Sequence, residues 1–233
     1  MRLVTYNIRG GLGMDGVRST RRIAAVLRDI EADIICLQEV HQRLPWSRFR
    51  DQPGQLSRCL RKPVVFQSNY NVGIGGFGNA ILTALPMFAP FSHCIPNARE
   101  RRSVLRRPEK RGLLGIRLQT NEGPLSILTT HWSLDAQDRI EGAEVVANRV
   151  KDMSGQAILC GDFNALPDSP ELALLRAETG LDDSGAADGR LTFPSDTPVE
   201  RIDYVLVSPN IHISRYDVLE SLASDHRPVV VEW

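Results

Sequence analysis

The chain has 233 residues, 42% hydrophobic and 24% charged, and its 28 Lys+Arg balance 28 Asp+Glu to a net charge of zero. This composition excludes a disordered or fibrous chain, and the balanced charge leaves no whole-molecule field for nucleic acid or membranes, so any anion recognition must be local. A domain of this length buries about 70–75% of its unfolded surface without staples, so one domain over residues 1–233 is expected.

Cys36, Cys59, Cys94 and Cys160 show no CxxC spacing and read as small core hydrophobes rather than ligands or disulfide partners. That suits a reducing compartment, and with no export signal before Leu3 a cytoplasmic monomer is expected. No apolar run approaches the ~20 residues of a membrane-spanning helix.

Leu3 to Ile8 is a β-rich run that presents Asn7 near its end, before the glycine-containing loop Arg9 to Gly13. From Ser19 to Glu31, Ile23, Val26, Leu27 and Ile30 fall on one helical face, with Ser19 or Thr20 as cap. Asp33 to Glu39 is an apolar strand ending in Gln38 and Glu39. A carboxylate there is costly unless solvated, paired or metal-bound.

A loop and a short helix near Gln55 to Leu60 follow, then a strand at Pro63 to Gln67. Asn71 to Gly78 reads as a glycine-rich loop before a strand at Asn79 to Thr83, and Phe88 to Ile95 as a further strand. Arg99 to Arg111 is the most basic stretch, with seven Arg/Lys against Glu100 and Glu109, either a phosphate-steering patch or a solvated connector. Gly112 to Gln119 and Leu125 to His131 are strands joined by a turn at Asn121 to Pro124.

His131 stands at a strand end, and Asp135 to Met153 carries Ile140, Ala143, Ala147 and Val150 on one helical face. Gln156 to Cys160 then leads to Gly161, Asp162 and Asn164. Two residues apart in extended chain, Asp162 and Asn164 project to one side; the alternative is an Asx turn into a helix capped by Asp168 or Ser169, with Pro170 in its first turn. Leu172 to Glu178 is helical, Asp182 to Pro198 a loop with a short strand at Leu191 to Phe193, and Arg201 to Val207 a strand carrying Asp203. Ile211 to Leu219 is a strand, and Asp225 and His226 precede the terminal strand.

The strand, helix and strand from Leu3 to Glu39 parallel those from Leu125 to Asp162, and each half releases polar residues at its strand ends. Ligand crevices in layered α/β proteins form at such ends.

The motifs TYNIRG (5–10), LQEV (37–40), GNAILT (78–83), TTHW (129–132), GDFNALPDSPE (161–171), RIDYVLVS (201–208) and SDHRPV (224–229) resemble those of the endonuclease/exonuclease/phosphatase superfamily, with the deoxyribonuclease-I-like fold. The resemblance implies an α/β protein, a four-layer α-β-β-α sandwich of two packed mixed sheets flanked by helices. It also implies a divalent-metal-dependent phosphoric ester hydrolase using Mg²⁺, with Mn²⁺ as substitute. By the same resemblance Glu39 is the main metal ligand, with Asn7 beside the metal and the scissile phosphate and Asp225 adding charge near it. Asp162 is the base, Asn164 holds phosphate or nucleophile, His226 is a donor oriented by Asp203, and His131 a second phosphate-stabilising histidine. Asn79 and Arg111 are the candidate substrate-binding residues.

The substrate is a phosphate ester: a small molecule, a lipid headgroup or nucleic acid. The Gly78 to Thr83 motif looks more like the bacterial hydrolase and sphingomyelinase-like branches than the abasic-site DNA repair branch, which leaves repair nuclease and phospholipid phosphodiesterase as alternatives.

Overall fold

The computed structural model describes residues 1–95, 97, 110–121 and 123–233. In chain order the elements are β1 (Arg2–Asn7), α1 (Thr20–Ile30), β2 (Ile34–Gln42), α2 (Gln52–Leu60), β3 (Val64–Val72), β4 (Gly75–Thr83), β5 (Met87–Ile95) and β6 (Arg111–Thr120). There follow β7 (Gly123–His131), α3 (Ala136–Lys151), β8 (Gln156–Asp162), α4 (Pro170–Thr179), β9 (Asp182–Asp183), β10 (Asp203–Val207), β11 (Arg215–Val218) and β12 (Val229–Glu232).

The strands form two mixed six-stranded sheets, ordered β11-β12-β1-β2-β4-β3 and β5-β6-β7-β8-β10-β9. Each centres on a parallel pair, β1–β2 or β7–β8, joined by a helix, and each pair has antiparallel neighbours. The internal similarity read from the sequence is therefore a repeated topology.

Alternation along the strands builds three apolar layers, because successive side chains leave a strand on opposite faces. Leu3, Ile34, Cys36, Ile127, Ile158, Cys160 and Val205 meet between the sheets. Val4, Tyr6, Ile35 and Leu37 face outward onto Ile23, Leu27 and Ile30 of α1 and Leu56 of α2. Leu128, Leu159 and Leu206 face the opposite way onto Val146 and Val150 of α3 and Leu172 and Leu175 of α4. The result is the α-β-β-α sandwich of the deoxyribonuclease-I-like type.

Local chemistry sets the helix starts. The Ser19 hydroxyl accepts from Arg22 N at 3.2 Å, and Asp135 accepts from the amides of Gln137 and Asp138, caps worth about 1 kcal/mol each. α2 begins earlier than the sequence indicates because Asp51 caps it and Pro53 sits in its first turn, where a missing N–H costs nothing. Ser169 precedes Pro170 in α4, without a capping bond from its side chain.

Three expectations need correction. The connection expected over 71–78 is indeed a hairpin but a far shorter one, with most of its glycines inside the strand: β3 runs to Val72 and β4 starts at Gly75. A Cβ at Gly78 would collide with the Gln67 carbonyl and one at Gly76 with the Ser68 hydroxyl, so these glycines permit close strand approach. The expected strand at Leu191 to Phe193 is a single bridge, Phe193 to Glu200, while β9 lies upstream. The strand expected over Ile211 to Leu219 is confined to β11. Of the basic stretch 99–111, only Lys110 and Arg111 fall within the described residues.

Candidate active site

The pleat that fills the space between the sheets also delivers the polar residues. Continuing the inward face past Leu3 and Thr5 reaches Asn7; past Ile127 and Thr129, His131; past Ile158 and Cys160, Asp162; and back from Val205, Asp203. His131, Asp162 and Asp203 stand opposite one another in register across β7, β8 and β10. The cleft is therefore the end of the inter-sheet core, where apolar side chains give way to charged ones.

Asn7 is its hub. Its Nδ2 donates to Asp162 Oδ2 at 2.9 Å and to Glu39 Oε1 at 3.2 Å, and lies 3.4 Å from His226 Nε2. His226 Nδ1 donates to Asp203 Oδ2 at 2.9 Å, leaving Nε2 facing Asp162 Oδ2 at 3.6 Å. His131 Nε2 is 3.4 Å from the same Asp162 oxygen. Behind His131, the Arg111 Nη1 lies 2.9 and 3.0 Å from its two ring nitrogens. The Phe193 ring lies 4.8 Å from that of His226 and limits how it can turn.

Burial dominates the electrostatics. It pushes the Asp162 carboxyl up to about 7, with the Asp203 charge adding to the rise while His226 and the Asn7 amide oppose it. Burial alone would depress the His226 imidazolium, but the carboxylates of Asp203 and Asp162 outweigh it and raise the group to about 10. Burial raises Glu39 above the ordinary carboxylate range, against the Asn7 hydrogen bond and the positive charges of His226 and Arg111.

Those raised carboxyls are what a divalent cation would relieve. Asp162, Asp203 and His226 each offer a ligand atom, all within 4.8 Å of one another. Because His226 Nδ1 is engaged by Asp203, oxygen donors on the Glu39, Asn7 and Asp162 side fit a hard cation better. Asp203 Oδ1, buried and without a hydrogen-bond partner, is a further donor.

Several residues sit differently from the sequence reading. Glu39 is not at a strand end: β2 continues to Gln42, and a bulge between Leu37 and Val40, with Glu39 at φ 56°, re-aims its side chain. Of the two readings of Asp162 and Asn164, the Asx turn into a helix is the one found: at φ 47° Asn164 turns away, its amide N–H bonds Asp162 Oδ1 at 3.0 Å and its side chain donates to the Trp132 carbonyl at 2.9 Å, buttressing Asp162. Asp225 is partly withdrawn by its ion pair with Arg9 at 3.1 Å. Asn79 and Arg111 are both buried; Asn79 donates to the Gly112 carbonyl at 2.9 Å, and its Oδ1 has no partner.

The supports beneath the site leave little trace in the order of residues. Gln38 Nε2 donates to Thr5 Oγ1 and to Thr129 Oγ1 of the facing sheet at 3.0 and 2.8 Å, and the Ser224 hydroxyl donates to the Asn7 carbonyl at 2.7 Å. Gln38 beside Glu39, and Ser224 beside Asp225 and His226, were the available signals.

A family model described as Endonuclease/Exonuclease/phosphatase family matches residues 4–226. Among solved structures, an endonuclease/exonuclease/phosphatase from Beutenbergia cavernae DSM 12333 is 24% identical with a TM-score of 0.80, over 99% of this chain and 70% of that one. The mannosyl-6-phosphatase of Bacteroides thetaiotaomicron VPI-5482 is 21% identical, TM-score 0.80, over 100% of this chain and 98% of its own. D. rerio TDP2 complexed with a single-strand DNA product is 17% identical, TM-score 0.72, over 99% and 97%. No curated protein matches the chain.

Proposed function

The chain belongs to the endonuclease/exonuclease/phosphatase family, and on that basis we propose that it hydrolyses a phosphodiester or phosphomonoester by in-line attack of an activated water, with Mg²⁺ or Mn²⁺ as cofactor. The observation that carries this reading is the meeting of Asn7, Asp162 and the Asp203–His226 pair at hydrogen-bond distances in one buried cleft.

Asp162, raised to about 7 by burial, is a base matched to neutral pH and receives the proton of the attacking water. Asn164 holds its second oxygen through the backbone amide, and Asn7 fixes the first. His226, kept protonated by Asp203, presents Nε2–H where negative charge grows on the phosphoryl oxygens, and His131 supports the same charge from the other side. Held by Glu39 with Asn7 and Asp225 close by, the cation when bound supplies Lewis-acid neutralisation of phosphate oxygens. Asn79 and Arg111 lie behind this cluster and tune its shape and field.

The test is a hydrolysis panel with Mg²⁺ or Mn²⁺ across bis-p-nitrophenyl phosphate, phosphomonoesters, sphingomyelin and abasic or single-stranded DNA, with Asp162→Ala as blank. Cation-dependent turnover absent from the blank supports the reading; equal turnover in the blank removes Asp162 as base.

A further inference from the structure

Scattered exposed apolar residues are ordinary; their distribution here is not. Eleven large hydrophobic residues are exposed among the described residues, and nine lie in the connections at the end of the sandwich that carries the site. Val17 stands in the β1–α1 connection, Trp46 and Phe49 in β2–α2, and Ile74, 79% exposed, at the tip of the β3–β4 hairpin. Leu134 follows β7, Leu166 follows β8, and Leu222 lies in β11–β12; Leu191 and Val199 complete the set in β9–β10. Every described connection at this end thus presents at least one, whereas the opposite end exposes Met1 and, near the start of β5, Phe88 among the described residues.

Folding does not call for this. A two-residue hairpin tip has no packing use for isoleucine, and none of these side chains reaches a core layer. The tips come from separate loops interrupted by polar residues, so they are spaced points rather than a continuous apolar groove.

Charge singles out one corner of this end. The β1–α1 and β2–α2 connections carry Arg9, Arg18, Arg43, Arg48 and Arg50 against Asp15 and Asp51, whereas the other described connections at this end carry seven acidic residues against three arginines, so the cationic excess is confined to that corner. Arg18, Arg48 and Arg50 line one groove of about 500 Å³ with Trp46. Arg18 also donates to the carbonyls of Arg9 and Gly10 at 3.0 and 2.6 Å, in the turn that follows Asn7, so the groove adjoins the site. Indole and guanidinium beside separate aliphatic tips are the chemistry of a lipid–water boundary, where aromatic rings sit at headgroup level and arginines meet phosphate.

We propose that the corner made by the β1–α1, β2–α2 and β3–β4 connections, with Val17, Trp46, Phe49 and Ile74 among its arginines, docks on an anionic phospholipid surface, so that the adjoining cleft acts on phosphate esters displayed there. The docking stands on the exposed residues alone; only the hydrolysis rests on the function proposed above.

The test measures association without turnover. Wild type and Asp162→Ala are sedimented with phosphatidylcholine vesicles prepared with and without phosphatidylglycerol, and tryptophan emission is recorded. Both proteins should partition to the anionic vesicles, with a blue shift lost in Trp46→Phe. The combination Val17→Ser, Phe49→Ser and Ile74→Ser should reduce the bound fraction roughly tenfold, and Arg48→Glu with Arg50→Glu should remove the preference for phosphatidylglycerol. Circular dichroism and hydrolysis of a soluble ester check that the variants remain folded. Wild type staying in the supernatant, the serine variant binding undiminished, or preference for single-stranded DNA over anionic vesicles at equal salt would each overturn the proposal. Vesicle binding by a protein that hydrolyses no ester would uphold docking and sink the phosphoesterase reading instead.

Discussion

Asp203 Oδ2 lies 2.9 Å from His226 Nδ1 with both side chains buried, and this contact fixes which nitrogen of His226 faces the cleft. Replacing Asp203 with Asn keeps the shape but removes the charge that outweighs burial in holding the imidazolium. Asp203→Asn should lower kcat by about 10²–10⁴ with a smaller change in KM. Its pH–rate profile should also lose activity at lower pH on the alkaline side. The folded His226 titrates near 10 against an ordinary 6.5, so its stabilising contribution is complete below 6.5 and disappears as pH rises through 10. A kcat that falls with an unshifted alkaline limb would leave Asp203 a packing role only.

Asp162 should show opposite effects on rate and stability. Its carboxyl is raised to about 7, chiefly by burial, so the native state favours the proton. A raised carboxyl contributes stability that is whole below the unfolded value of 3.8 and lost as pH rises through about 7. Asp162→Asn should therefore depress turnover by about 10²–10⁴ yet melt higher than wild type at pH 8 without cation, and at nearly the same temperature at pH 4. Thermal unfolding in chelator at the two pH values measures this.

Glu39 should report on the cation directly. Burial raises its carboxyl above the usual range, and Asn7 is its nearest hydrogen-bond donor. Glu39→Gln should weaken Mn²⁺ binding by more than the roughly 10–100-fold typical of residues that only support ligands. For wild type, a cation at 100 times its Kd should add about 2.7 kcal/mol of stability, and the variant should show almost none of that gain. Calorimetric titration beside melts with and without chelator separates the two effects; an unchanged Mn²⁺ affinity would move the ligand role elsewhere.

The sequence carried the layers of this fold because apolar alternation in β1, β2, β7 and β8 serves both sheet faces, and that signal is local. The same local signal set Asn7, His131, Asp162 and Asp203 at strand ends as candidates, while the roles assigned to the candidate site residues came from the motif resemblance. What it could not carry is direction. Glu39 reaches the cleft through a bulge whose left-handed backbone has no compositional sign, whereas the turn at Asn164 was one of two readings its sequence left open. The glycines at 75, 76 and 78 look like loop punctuation, yet Gly76 and Gly78 let β4 close on β3 and Gly75 lets it close on the end of β2 at Gln42 and Arg43, constraints set by the partner strands. Gln38 was legible only as a polar strand residue, since its partners Thr5 and Thr129 come from different strands and one from the facing sheet.

His41 makes the fold itself sensitive to acid, apart from catalysis. It follows the bulge in β2, packs its ring 5.5 Å from that of Phe77, and its Nδ1 is buried without a partner. Burial, reinforced by the charge of Arg18, holds its pKa down to about 3. The unfolded chain takes up a proton near the ordinary 6.5 that the native state refuses, so stability is present above 6.5 and is lost as pH falls toward 3. A displacement of that size corresponds to a few kcal/mol at most. His41→Leu removes the titrating group while keeping an apolar side chain of similar bulk and breaks no side-chain hydrogen bond, because the backbone amide makes the contact with Gln52. The variant should lose less stability than wild type between pH 6.5 and 4, by roughly 1–3 kcal/mol in urea unfolding. Parallel pH dependences for the two proteins would show that His41 is protonated in the native state, against the burial that the structure assigns it.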